Sequence, residues 1–287
     1  MKISFPVVYK NTHNNDKTGV WGEEIIANTC CKLLKGHDAK VYSISEFKEE
    51  QHDVAVYMCY ETIHPFLVRK YAKKNILWID GFNYDRTKNI LPLNILYNNI
   101  KPFYDLIITS SRKLARDMNI PFIIPPVDFD IYKKVEAEKK HDVIYIGNII
   151  KPFSTNFKYL NPIGNFDYKI FGGDFGKISH EKWLEEICST KVNLHYGFEE
   201  GIEWDMVTGG PLFIAACRQF QLSDKIPFYM ETFGDSFGFT DGGTDEVDKI
   251  SYYLNNDVER REKAEKAYEI VRSLKYDTLS EIIEGGF

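Results

Sequence analysis

No apolar run in the 287-residue chain approaches the roughly 20 residues that a membrane-spanning helix needs. The opening MKISFPVVYK has the pattern of a β-strand rather than of a signal peptide. Neither a Cys-x-x-Cys nor a His-x-x-x-His pair occurs, which removes the usual basis of a structural zinc site. The five cysteines (Cys30, Cys31, Cys59, Cys188 and Cys217) are odd in number, scattered and mostly set in apolar runs. They read as reduced core residues of a cytoplasmic protein. The glycines lack G-x-G-x-x-G spacing, so a dinucleotide cofactor has no support. Dense basic blocks are missing too, and with them the common footprint of a nucleic-acid binder. The net charge of −6 conceals an asymmetry: residues 1–135 hold 19 Lys+Arg against 15 Asp+Glu, and the remainder holds 17 against 27. A mildly basic first half can face an acidic partner, although such an imbalance is equally a solvated surface.

Aromatic residues, by contrast, are plentiful at 15%, with 18 Tyr and 20 Phe. They suit a packed core and also clefts that stack flat ligands. Strand-like and helix-like stretches alternate along the chain. The strands read as 2–9, 39–44, 53–59, 75–79 and 106–109, with helices from Glu23 to Leu34, from Val68 to Lys73, near Leu91–Asn99 and over Lys113–Met118, the last capped by Ser110 or Ser111. The Pro-Pro-Val-Asp of 125–128 and the charged run to Lys140 mark a boundary. A second alternating series follows, with strands at 142–149, 168–173 and Val192–His195. Its helices are read over Lys182–Cys188, around Leu212–Cys217, from Asp245 to Asn255 and from Val258 to about Leu274. This predicts an α/β chain of two Rossmann-like domains, 1–130 and 131–270, with a tail at 271–287 that returns to the first domain.

Ligands on doubly wound sheets bind beyond the strands' carboxyl ends, which singles out the loops there. The segment 191–224 ends a strand, passes an acidic loop and enters a helix through Thr208-Gly209-Gly210-Pro211. Unbonded N–H groups at a helix start, approached over glycine, make a platform for an anion.

Several strings carry a resemblance: DLIITSS (105–111), PPVDFDIYKK (125–134), HDVIYIGNI (141–149), AACRQFQLSD (215–224) and TDEVDKISYYLNNDVERREKAEKAYEIV (244–271). In order and spacing they resemble the spore-maturation (CgeB-like) and group 1 glycosyltransferases; the first 100 residues are similar only in outline. The resemblance implies two Rossmann-like domains facing a cleft (the GT-B architecture). It also implies a nucleotide diphosphate sugar, a UDP-sugar foremost, held by the second domain, with retaining transfer and no required cofactor or metal. The acceptor is left open between a glycan, a protein or small-molecule hydroxyl, and a hydroxymethylated base in DNA, since viral DNA glycosyltransferases share this architecture. A departure stands beside it. Where the family commonly has Arg-x-Phe-Glu, this chain has Gly210-Pro211-Leu212-Phe213, and Arg218 takes the place of the usual glycine. A catalytically inactive sugar-nucleotide-binding module is therefore a second reading, and an epimerase on the same plan a third.

On this basis the donor contacts are expected at Gly147, Asn148, Lys151, Gly172, Gly173, Gly209 and Gly210, with His195, Glu199, Glu200, Asp205 and Arg218 around them. Backbone N–H groups and a cation suit a leaving diphosphate. With the family's motif carboxylate missing, either another acid nearby (Glu199, Glu200, Glu203 or Asp205) holds the ribose, or the donor is unusual, or the domain is degenerate. Asp80 and Glu61 are the expected bases for the acceptor hydroxyl, or else helix caps; His13 and Asp16 belong to the first glycine loop, on the acceptor side. His195 is open between a ligand contact and a structural histidine.

Overall fold

The structure is a computed structural model that describes residues 1–7, 22–58, 67–79, 93–147, 157–172, 175–176, 178–197 and 199–286. The first series runs β1 (Lys2–Val7), α1 (Gly22–Leu33), β2 (Asp38–Ser43), α2 (Ile44–Phe47), β3 (His52–Tyr57), α3 (Val68–Tyr71), β4 (Ala72–Ile79), α4 (Leu93–Ile100), β5 (Leu106–Thr109) and α5 (Arg112–Met118). Its five strands pair in parallel in the order β2-β1-β3-β4-β5. Alternation along β4 divides the side chains: Ile76 and Trp78 join the cluster on one face, Leu77 and Ile79 the cluster on the other. Burial on both faces is why these strands read as unbroken apolar runs. Local chemistry sets the ends. Ser111 caps α5 by accepting from the Leu114 amide at 3.0 Å, and Asn119 closes it in the left-handed conformation at φ 51°.

The second series runs β6 (His141–Ile146), α6 (Phe157–Leu160), β7 (Tyr168–Phe171), α7 (His180–Cys188), β8 (Thr190–His195), α8 (Glu199–Glu203), α9 (Gly209–Ala216), β9 (Gln221–Ser223), α10 (Pro227–Phe233), β10 (Gly238–Phe239), α11 (Thr244–Asn255), α12 (Asp257–Ser273) and α13 (Thr278–Gly285). Its strands are again parallel, in the order β10-β9-β8-β6-β7. Counted from its own first strand, this is the order of the first sheet. Helix α9 is buried along nearly its whole length and contacts α12 and the sheet, as an all-apolar helix must. Residues 225–230 run into α10: Pro227 fits a first helical turn, where no N–H bond is lost.

The two halves share one apolar cluster that runs from Phe5 and Trp78 through Ile144 and α9 to Leu279 and Ile283 of α13. A second junction is polar. Residues 204–207 lie beside residues 110–112 through an isolated antiparallel bridge, Ser111 to Met206. Ser111 Oγ donates to the Trp204 carbonyl at 2.5 Å, the Val207 amide donates to the Ser110 carbonyl at 2.8 Å, and the Arg112 amide to the Asp205 carbonyl at 3.2 Å. Trp204 and Met206 pack into the first half's cluster beside Tyr97, Ile107 and Leu114. Among the described residues no helix is long and apolar enough to cross a membrane.

Candidate functional site

In an order such as β10-β9-β8-β6-β7, the connections leave β6 and β8 toward opposite sides, which opens a crevice beyond their carboxyl ends. Gly147 follows β6, Gly172 follows β7, and His195 ends β8. Two close approaches build this edge. A methyl group on Gly172, held at φ +102°, would fall onto the Gly147 carbonyl oxygen, so β6 and β7 can meet there only over glycine. A Cβ on Gly210 would stand 2.5 Å from Cε1 of the His195 ring, so the amino end of α9 is seated on that ring.

His195 is partly open at its edge yet densely surrounded, and burial pulls its pKa down to about 4. It is therefore neutral at pH 7, able to offer one ring N–H and one lone pair. Its hydrogen bond among the described residues joins Nε2 to Thr208 Oγ1 at 3.3 Å. Thr208 is the N-cap of α9, but its side chain makes no cap bond, and Pro211 has no N–H to give. The first-turn amides of Gly209 and Gly210 thus face outward without the customary hydroxyl partner.

Below this edge lies a buried polar group that the sequence did not reveal. The Asp224 carboxylate, fully buried after β9, accepts from the Gly197 amide at 2.7 Å. Tyr196 donates to Glu246, a carboxyl with no exposed surface in the first turn of α11, whose Oε2 has no hydrogen-bond partner among the described residues. Desolvation pushes Glu246 up to about 8, opposed by the Tyr196 bond and reinforced by Asp245. The Tyr196 ring stacks on Tyr159 at 4.3 Å and lies 6.0 Å from Tyr145. Tyr196 thus belongs to a buried tyrosine stack just beyond the end of β8.

The expected donor residues divide. Gly147, Gly172, His195, Gly209 and Gly210 come together on the carboxyl edge of the second sheet, and Glu199 is an exposed residue at the start of α8, where Glu200 also falls. Asp205, at φ 49°, sits at the junction instead: Oδ2 pairs with Arg112 Nε at 2.5 Å and Oδ1 accepts from the Phe228 amide at 2.7 Å. Arg218 lies past the opposite end of α9, stacked 4.0 Å over Tyr268 and paired with Glu265 at 3.2 Å. The whole of α9, eight residues and about 12 Å long, lies between it and the helix's amino end. His13, Asp16, Glu61, Asp80, Asn148, Lys151 and Gly173 lie outside the described residues. A cleft of about 480 Å³ beside the junction, with Arg112, Lys113 and Arg116 on its wall, is charge-compensated by Asp205, Glu231 and Asp117.

Comparison with known proteins adds to this geometry. Residues 155–280 match the family model described as glycosyl transferase-like. No curated protein matches the chain in sequence. Among solved structures, the T4 phage β-glucosyltransferase in complex with UDP-glucose superposes with a TM-score of 0.67 at 16% identity, covering 99% of this chain and 97% of that one. AviGT4, a glycosyltransferase of avilamycin A biosynthesis, gives 0.62 at 13% identity over 100% and 99%. An α-glucosyltransferase in complex with UDP-glucose and DNA containing an abasic site gives 0.61 at 10% identity over 99% and 97%. The two parallel sheets, their shared strand order and these end-to-end superpositions agree that the chain has the two-domain GT-B fold.

Proposed function

We propose that the protein transfers a sugar from a nucleotide diphosphate sugar, a UDP-sugar first, to an acceptor hydroxyl in the cleft between its halves. The observation that carries this reading is the crevice beyond β6 and β8: it lies in the half matched by the glycosyl transferase-like model and is lined by glycine edges and outward amides. In the reaction the bond from the anomeric carbon to the diphosphate oxygen breaks and a bond to the acceptor oxygen forms. The diphosphate leaves with the electron pair, and the acceptor proton passes to a base. The Gly209 and Gly210 amides, at the positive end of the α9 dipole, stabilise charge on the leaving diphosphate. The neutral His195 supplies one further N–H donor. Asn148, Lys151 and Gly173 complete the donor side in this reading, with Glu199 or Glu200 for the ribose; Asp80 or Glu61 takes the proton, and His13 and Asp16 border the acceptor. Transfer is retaining and needs no metal ion. One similar structure holds UDP and Mn2+, so turnover with and without a chelator checks the last point directly. The domains divide at 1–130 and 131–270, and the enzyme acts in the cytoplasm, in keeping with the free thiols of Cys30, Cys31, Cys188 and Cys217.

Thermal-shift screening with UDP-, GDP- and ADP-sugars tests the donor. A shift with one of them, accompanied by slow hydrolysis, supports the enzyme. A shift without hydrolysis or transfer turns the reading to an inactive binding module, and no shift with any donor removes it. The acceptor reading that a specific observation favours is a hydroxymethylated base in DNA, because a β-glucosyltransferase named as a DNA-modifying enzyme superposes over 99% of each chain. Labelled transfer onto hydroxymethylated duplex, set against free sugars and glycans, separates these acceptors.

A further inference from the structure

The proposed donor loop is clamped from behind by a residue that never faces the crevice. Tyr229, on α10, has no exposed surface, and its hydroxyl bonds the Thr208 peptide unit on both sides. It accepts from the Thr208 amide at 2.8 Å and donates to the Thr208 carbonyl at 2.9 Å, and it stands 3.5 Å from Thr208 Oγ1. The clamp is itself held in place. Asp205 Oδ1 accepts from the Phe228 amide at 2.7 Å, in the first turn of α10, one residue before Tyr229. Asp205 Oδ2 is fixed by Arg112 of the first half. A closed circuit therefore runs from Asp205 to Phe228, along one residue to Tyr229, and across to Thr208, three residues beyond Asp205. With the peptide at 208 held on both sides, the Thr208 hydroxyl is turned toward His195 rather than onto the α9 amides.

We propose that Tyr229 is a positioning residue for the donor: its hydroxyl holds Thr208 so that the amino end of α9 stays open to the diphosphate. This rests on the donor reading above. Without the hydroxyl, the Thr208 amide and carbonyl each lose a partner. The loop is then free to relax, and the threonine side chain can rotate to cap its own helix, occupying the amides that the diphosphate would use.

Tyr229→Phe tests this. The ring keeps its packing against Phe228, Phe233 and Phe237, so the fold survives and the loss is confined to the hydroxyl. Calorimetric titration with UDP is expected to show affinity lower by about tenfold, the size of losing one to two net hydrogen bonds. A control separates positioning from stability. Tyr276→Phe removes a comparable hydroxyl bond, to the Val271 carbonyl at 2.8 Å between α12 and α13, away from the crevice. It is expected to lower the thermal midpoint while leaving UDP affinity unchanged. Equal affinity in wild type and Tyr229→Phe overturns the assignment and leaves the donor reading standing. Equal losses in the two variants also overturn it, because the effect would then be one of general stability. A wild-type chain that binds no UDP removes the donor reading, and this assignment with it.

Discussion

The two halves repeat one strand order but dispose of their buried polar groups differently. In the first half two of these groups, His52 and Asn75, close within the protein. His52, which opens β3, uses both ring nitrogens, with Ser4 Oγ at 2.5 Å and the Phe47 carbonyl at 3.0 Å, and it stacks on Phe47 at 4.5 Å. Asn75 likewise accepts from Tyr57 and donates to the Ala72 carbonyl. In the second half two groups at or under the carboxyl edge keep unused valence: His195 has one hydrogen bond among the described residues, and Glu246 Oε2 has none. Buried polar groups are normally satisfied, so those left open point to what the fold is for. A pair that is complete within the protein holds strands in register, while a group with a free lone pair or proton can serve a ligand.

The largest expected contrast lies between two glycines at positive φ, one in each half. Gly172 at φ +102° has the Gly147 backbone against it, whereas Gly36 at φ +90° has open space where a Cβ would go. Gly172→Ala carries backbone strain and a clash that only backbone movement relieves, together about 3 kcal/mol or more. Gly36→Ala carries the strain alone, about 1–2 kcal/mol. Urea unfolding of both variants checks this. Equal losses would show that the β6–β7 edge is not tightly closed and would break the contrast between the halves.

Next comes the carboxyl under Tyr196. Burial holds Glu246 at about 8 in the folded protein against an ordinary 4.5, so between those limits the native state binds more protons than the unfolded chain. Stability contributed by the neutral carboxyl is present below about pH 4.5 and is lost as pH rises toward 8. Glu246→Gln, neutral throughout, is expected to gain on wild type by a few kcal/mol as pH is raised from 5 to 8. A constant difference across that range would mean that the carboxyl is ionised and partnered.

The histidines differ next in size. Burial lowers both His195 and His52, so for each the unfolded chain binds more protons, and stability is lost as pH falls below about 6.5. For His195 the loss continues down to about pH 4 and is on the order of 2–3 kcal/mol. His195→Gln should flatten the acid limb of the stability profile at modest cost near neutrality. His52→Gln should cost stability at every pH, because it breaks two bonds and a stacked pair. Acid-limb slopes from equilibrium unfolding at several pH values distinguish the two outcomes.

Much of this architecture was legible in the chain itself. Strand Leu106–Thr109 and its following cap at Ser111 could be read locally, since both depend on neighbours in sequence. The glycine edges were also visible, because glycine at a strand's end signals close approach. What escaped was contact over distance. Nothing near Trp204 announces that it packs into the first half's core, 93 residues from the Ser111 hydroxyl it meets. Tyr196 and Glu246 are 50 residues apart, and each taken alone reads as an ordinary member of a strand end or a helix start. Arg218 was expected as a cation for the leaving diphosphate, but α9 intervenes and carries it to the end away from the Gly209 and Gly210 amides.

The smallest expected effect tests whether the halves differ only at their carboxyl edges. Near the amino ends of the strands they carry matching ion pairs. Lys73 and Asp53, each second in its strand, meet at 2.8 Å across β4 and β3, and Lys191 and Asp142, also second, meet at 2.7 Å across β8 and β6. Both pairs are solvated, with lysine side chains 75% and 38% exposed, so Coulomb gain is largely offset by hydration and side-chain entropy. Lys73→Met and Lys191→Met are each expected to move the thermal midpoint by no more than about 2 °C, and by less in 0.5 M salt, where screening is stronger. A markedly larger loss for Lys191→Met would extend the asymmetry to the amino edge. The second half's polar groups would then be specialised along the whole sheet rather than at the crevice alone.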